Sequence, residues 1–309
     1  MDAIGRYRLE RRLGAGSFAT VWLARDDDLD VLVAVKVLGE QWVDNLDVRA
    51  RFLAEARILR RIRDPRLIQV HDIGALRDGR PYFVMDFIDG GSLDEVRQTR
   101  PDPVRALRLC ADACRALTVL HDHGIVHRDV TPANLLLSTA SGGWARVLIA
   151  DLGVARSTTD AVDTGMAAGT PSYMAPEQAV GLGSADHRAD IYSLSAVTYA
   201  MLTGLPPFRV RSIAEILARP VDAAPVPIAE RVGAPSSLDA VLQSGLAMDP
   251  GLRPPTARLL AEALDTIAGE ISPPRVVERP RSASSAPPPH RSLPVHSPVL
   301  EPVRAAPAA

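Results

Sequence analysis

From Tyr7 to Leu38 apolar and polar residues alternate around turn signals, through YRLERRLGAGSFATVWLARD and then LDVLVAVKVL. This period of two predicts a meander of antiparallel strands. Between Asp47 and Ile62 the spacing becomes helical, with Val48, Phe52, Leu59 and Ile62 on one stripe. Two further strands are expected around Ile68 to Gly74 and Arg80 to Phe87. These elements make a small lobe of about five strands and one helix, residues 7–88. Beyond Ile88-Asp89-Gly90-Gly91-Ser92-Leu93 helical patterns dominate: Asp94 to Gly124, Asp190 to Thr203, Ile213 to Ala218, Leu238 to Ala247 and Ala257 to Ala268. A second, mainly helical lobe therefore spans 89–270, and the fold class is α+β. Short apolar runs at Leu135–Leu137 and Val147–Ala150 bracket a polar, glycine-bearing stretch and predict a hairpin near the lobe boundary. Over 271–309 the chain becomes rich in Pro, Ser, Ala and Arg, with too little apolar mass to offset ordering entropy, so a disordered tail is expected.

Composition narrows the function classes. The formal net charge of -2 over 309 residues lacks the basic excess of a nucleic-acid binder. No run approaches the roughly 20 apolar residues of a membrane helix, and the N-terminus has no apolar signal region, so a cytoplasmic protein is expected. The two cysteines, Cys110 and Cys114, share a helical stripe with Leu107 and Leu117 and read as small core residues. Of the 35 Lys+Arg residues only Lys36 is lysine, which implies that its position needs an amine.

Four segments carry chemistry. Leu13-Gly14-Ala15-Gly16-Ser17-Phe18-Ala19-Thr20-Val21 places glycines in a strand-turn-strand, where backbone N–H groups can approach a phosphate chain. Strand character resumes at Thr20, whereas a dinucleotide fingerprint would open a helix there. Lys36 ends Val33-Ala34-Val35-Lys36, whose alternation puts Ala34 and Lys36 on one face. Its ammonium needs a counter-charge, and Glu55, on the polar side of the following helix, is the candidate; such a pair would hold the amine against α- and β-phosphates. In His127-Arg128-Asp129-Val130-Thr131-Pro132-Ala133-Asn134, Asp129 can accept a hydroxyl proton and Asn134 can offer a carbonyl oxygen to Mg²⁺. Asp151-Leu152-Gly153 adds a carboxylate at the end of an apolar strand, suited to a hard cation.

Together these segments make the chain resemble a Hanks-type serine/threonine protein kinase of the bacterial kind, from about Tyr7 to Ala268. The resemblance implies the two-lobed protein kinase fold and a reaction using ATP with Mg²⁺, or Mn²⁺ in its place. It implies that residues 13–21 cover the nucleotide, that Leu13, Val21, Ala34 and Leu136 sandwich the adenine, and that Met85 is the gatekeeper. The backbone of Asp86 and Ile88 would form the hinge. Gly169-Thr170-Pro171-Ser172-Tyr173-Met174-Ala175-Pro176-Glu177 resembles the end of the activation segment, with Glu177 expected to pair with Arg253 and Asp190 to brace the catalytic loop. Its Gly169-Thr170 form favours serine or threonine as acceptor on protein substrates. Arg128 would read a phosphate on the activation segment, with Thr164 preferred over Ser157, Thr158 and Thr159.

Three positions depart from the family pattern, of which Leu152, at a position that contributes packing, is a mild change. Ala19 stands where the third loop glycine is usual, and Thr131 stands where such kinases carry lysine. Loss of that cation would cost about 2–4 kcal/mol in the transition state. One alternative is therefore a pseudokinase acting as a nucleotide-binding scaffold, against which the joint retention of Lys36, Asp129, Asn134 and Asp151 argues. Another is an adaptor presenting Ala286-Pro287-Pro288-Pro289 to a proline-recognising partner. Kinases of this type often self-associate through the small lobe, which the resemblance extends to this chain.

Overall fold

The N-terminal alternation folds as an antiparallel meander in the computed structural model, which describes residues 3–139, 145–152, 171–181 and 185–271. Strands β1 (Ala3–Ile4), β2 (Tyr7–Ala15), β3 (Ala19–Asp26), β4 (Val31–Leu38), β5 (Val70–Ala75) and β6 (Pro81–Asp86) form one sheet in the order β1-β2-β3-β4-β6-β5. The sequence pattern suggested about five strands; the sixth is β1, two residues long and too short to show alternation. It is held by pairing of Ile4 with Tyr7, both buried.

Alternation on β4 sorts its side chains between two apolar clusters. Val33, Val35 and Val37 join Tyr7, Ala24, Tyr82 and Val84 on one face, while Ala34 and Leu38 face helix α1 (Leu46–Arg61). Asn45 caps α1 by accepting the Val48 N–H at 3.0 Å, and Val48, Phe52, Ala56 and Leu59 bury its stripe. Glu55 belongs to that buried stripe, at 1% exposure, and not to the polar side of the helix on which the sequence pattern put it.

The helical pattern from Asp94 divides into α2 (Leu93–Gln98) and α3 (Pro103–Asp122). Arg100 adopts φ 52°, Pro103 occupies the first turn of α3, and Asp102 caps it by accepting the Arg105 N–H at 2.9 Å. The hairpin of β7 (Leu135–Ser138) and β8 (Arg146–Ile149) pairs Leu135 with Ile149. Its link to the small lobe is the bridge between Leu67 and Ile149.

Helices α4 (Pro176–Val180), α5 (Arg188–Thr203), α6 (Ile213–Leu217), α7 (Ser237–Gly245) and α8 (Ala257–Glu270) complete the lower lobe. Every residue of α5 from Ala189 to Met201 is buried, marking a helix enclosed on all sides. A Cβ on Gly245 would lie 2.1 Å from Ser195 Oγ, so glycine permits the close approach of α7 to α5. The described residues form one compact unit; the proline-rich tail, for which disorder was expected, lies outside them.

Candidate active site

An ammonium group buried on β4 requires negative partners, since an isolated charge taken out of water costs several kcal/mol. Lys36 Nζ donates to Glu55 Oε1 at 2.8 Å and contacts the Asp151 carboxylate, 115 residues away in sequence. Its side chain is 8% exposed, that of Glu55 1%, and that of Asp151 45%, so Asp151 alone of the three meets solvent. The amine also lies over the Phe52 and Phe83 rings, at 5.9 and 5.5 Å from their centroids. Asp151 follows β8 with φ 60°, a conformation uncommon for a residue with a Cβ. Leu152 beside it is buried.

The loop after α3 is braced from below. Asp190 on α5, fully buried, accepts the His127 N–H on Oδ2 and the Arg128 N–H on Oδ1 at 2.8 Å each, and His121 Nε2 lies 2.8 Å from the same Oδ2. Arg128 is held at φ 65°, and its carbonyl accepts from Gln178 Nε2 at 2.8 Å. The same Gln178 amide accepts the Ala175 N–H at 3.2 Å, tying α4 to the loop. His127 Nδ1 accepts from the Asp129 N–H at 3.2 Å.

Asn134 Nδ2 donates to both the carbonyl and Oδ2 of Asp129, at 2.8 Å each. This fixes the Asp129 carboxylate and assigns the amide's nitrogen, leaving Asn134 Oδ1 as an acceptor. The Asn134 carbonyl takes the Ala150 N–H at 2.9 Å, so Asn134 and Asp151 stand on adjoining backbone. An amide oxygen and a half-exposed carboxylate are the hard oxygen donors that a divalent cation requires, and the residues present fit one.

Above them the glycine loop turns between β2 and β3, closed by the Gly16 N–H on the Ala19 carbonyl at 2.8 Å. A Cβ on Gly14 would meet nothing within 4 Å, so the protein's own packing does not require glycine there, and the space is free for a ligand. Leu13 is 36% exposed, Ala34 and Met85 are buried, and Ala34 pairs directly with Met85. Val21 and Leu136 are partly buried. The Asp86 carboxylate accepts the Gln69 N–H at 3.0 Å and lies 2.7 Å from His71 Nε2, anchoring the segment that leads to Ile88. A Cβ on Gly90 would lie 2.1 Å from the Leu137 carbonyl, so glycine lets this connection cross the hairpin.

Glu177 meets Arg253 through two parallel bonds, 2.6 and 2.8 Å. Gly153, Ser157, Thr158, Thr159, Thr164, Gly169 and Thr170 lie outside the described residues. Thr131 precedes the single turn Pro132–Asn134, and its carbonyl accepts the Asn134 N–H at 3.1 Å. Sequence reasoning missed Gln178, His121 and Trp42, whose partners are remote backbone or buried groups that no local pattern announces.

A small curled sheet over a helical lobe, with an amine and three oxygen-bearing side chains at their junction, defines the protein kinase fold. The chain belongs to the protein kinase domain family, which it matches over residues 7–264. Among its relatives is the serine/threonine-protein kinase PknJ of Mycobacterium tuberculosis, 39% identical over 263 residues, covering 83% of this chain and 44% of the relative. Serine/threonine-protein kinase PknB of the same organism is 36% identical over 310 residues, covering 89% and 49%. The chain thus spans about half the length of these relatives. The crystal structure of the M. tuberculosis PknI kinase domain superimposes with a TM-score of 0.67 at 26% identity, covering 87% of this chain and 99% of that one.

Proposed function

We propose that this chain transfers the γ-phosphate of ATP to serine or threonine hydroxyls of proteins, including its own activation segment. The observation that carries this reading is Lys36 engaging Glu55 and Asp151 together, beside the Asn134–Asp129 clasp. Lys36, held by Glu55, binds α- and β-phosphate oxygens. Asn134 Oδ1 and the Asp151 carboxylate hold the divalent cation, Mg²⁺ or Mn²⁺, which when bound neutralises charge developing on the phosphates. Asp129 orients the acceptor hydroxyl and takes its proton as the new O–P bond forms and the bond to the β-phosphate oxygen breaks, releasing ADP. The loop 13–21 covers the phosphates; Leu13, Val21, Ala34 and Leu136 flank the base, behind which stands Met85, and the backbone of Asp86 and Ile88 binds its edge.

The names of the relatives and the joint retention of Lys36, Asp129, Asn134 and Asp151 favour transfer over a scaffold role, even with Thr131 in place of lysine. No helix among the described residues is long and apolar enough to cross a membrane, and use of ATP favours a cytoplasmic setting. Exposed Leu29, Val31 and Leu32 support meeting of two copies through the small lobe, which sedimentation velocity reads directly. The proline-recognising partner for 286–289 rests on sequence alone and is tested by pull-down with a proline-binding domain.

Purified chain with Mg²⁺ and γ-labelled ATP is expected to label itself or a basic protein substrate. Asp129→Asn should lower the rate by at least about 100-fold with the fold intact. Undiminished labelling by Asp129→Asn contradicts the mechanism.

A further inference from the structure

The glycine loop has a latch outside the residues assigned to the reaction. The Trp42 indole Nε1–H donates to the Ser17 carbonyl at 2.9 Å, and Gln41 Nε2 reaches the same oxygen at 3.3 Å. The Phe18 ring packs on the Trp42 ring, centroids 5.0 Å apart and planes 38° apart. The Phe18 carbonyl in turn accepts the Gly39 N–H at 2.8 Å. Both ends of the Ser17-Phe18 tip are therefore bound to the stretch 39–42 between β4 and α1. That stretch continues into the helix without a break in bonding. The Trp42 carbonyl accepts the Asn45 N–H at 3.2 Å, and Asn45 caps α1, which carries Glu55 nearly three turns further on.

Resting on the kinase reading above, we propose that Trp42 is a positioning residue that latches the phosphate-covering loop to the entry of α1. Placement of the loop and placement of Glu55 beside Lys36 are then coupled. The physical need is plain. Gly14 and Gly16 offer no side chains to anchor the loop, and an unanchored loop must be ordered at the expense of nucleotide affinity. The indole bond and the ring contact order the tip before ATP arrives. Ala19, buried at the position after the tip, narrows the backbone further. Because the peptide after Ser17 is planar and trans, fixing the Ser17 carbonyl toward Trp42 aims the Phe18 N–H the opposite way. Trp42 acts through the loop and not on the reacting atoms.

Steady-state transfer with ATP varied tests this on the full chain. Trp42→Phe keeps a ring for Phe18 and removes one hydrogen bond, so KM for ATP should rise about fivefold with kcat changed less than about twofold. Trp22→Phe, on β3 and packed on the opposite face of the sheet, should leave both unchanged. An unchanged KM in Trp42→Phe, or a loss confined to kcat, overturns the latch and leaves the kinase reading standing. A wild-type chain that neither binds nucleotide nor transfers phosphate overturns that reading and the latch with it. Should Trp42→Phe fail to fold, hydrogen exchange on the unaltered chain decides. ATP with Mg²⁺ is expected to protect 14–19 and 39–45 together, and protection of 14–19 alone overturns the latch.

Discussion

Cys110 and Cys114 show how completely surroundings set a residue's chemistry. Both sit fully buried on α3; burial pushes the Cys110 thiol up to about 12, and Cys114 is likewise pushed well up by burial. With the folded value above the unfolded one, this stabilisation is present below the ordinary thiol range and lost as pH rises toward about 12. Thiolate is the reactive form, so neither residue should be alkylated by iodoacetamide at pH 8 in the folded chain, and both should react once denatured. Rapid alkylation of native protein contradicts this. Glu55 carries the opposite lesson. The need of Lys36 for a counter-charge named Glu55 from the sequence, while its burial was hidden because helical spacing put a carboxylate on the polar side. Lys36, Asp129, Asn134 and Asp151 were legible because each sits in a motif, and the motifs follow one another as in the family that the chain resembles. Trp42 and Gln178 were not, because each serves a backbone carbonyl whose position only the fold supplies.

At the scale of elements, the lower lobe is pinned by Arg253. Its side chain is wholly buried, bonds both Glu177 oxygens, reaches the Arg188 and Ala247 carbonyls at 2.9 Å, and packs over Tyr192 at 5.0 Å. It thereby joins α4, the start of α5 and the segment ahead of α8. Arg253→Met leaves a carboxylate and the carbonyls of Arg188, Ala247 and Met248 without their donor, which should cost about 3–5 kcal/mol and lower Tm by about 10 °C in a circular-dichroism melt. A shift under about 2 °C contradicts that role. Periodicity located nearly every helix and strand, since burying one face imposes a period of 3.6 or 2. It failed where the signal is short or interrupted. Two residues of β1 cannot display alternation, and the break at Arg100 to Asp102 lies between apolar positions that keep helical spacing across it.

For the molecule as a whole, the two lobes matter because each supplies half of the site. β4 and α1 bring Lys36 and Glu55; the loop after α3 and the end of β8 bring Asp129, Asn134 and Asp151. Family membership places the fold, while the convergence of these side chains is what makes a metal-dependent nucleotide site physically coherent. Calorimetric titration of ATP, with and without Mg²⁺, tests this most directly. The account predicts that Mg²⁺ tightens ATP binding to the wild-type chain and that Asp151→Asn removes most of that gain while retaining metal-free nucleotide binding. An Asp151→Asn chain whose ATP affinity still rises with Mg²⁺ as in the wild type would contradict it.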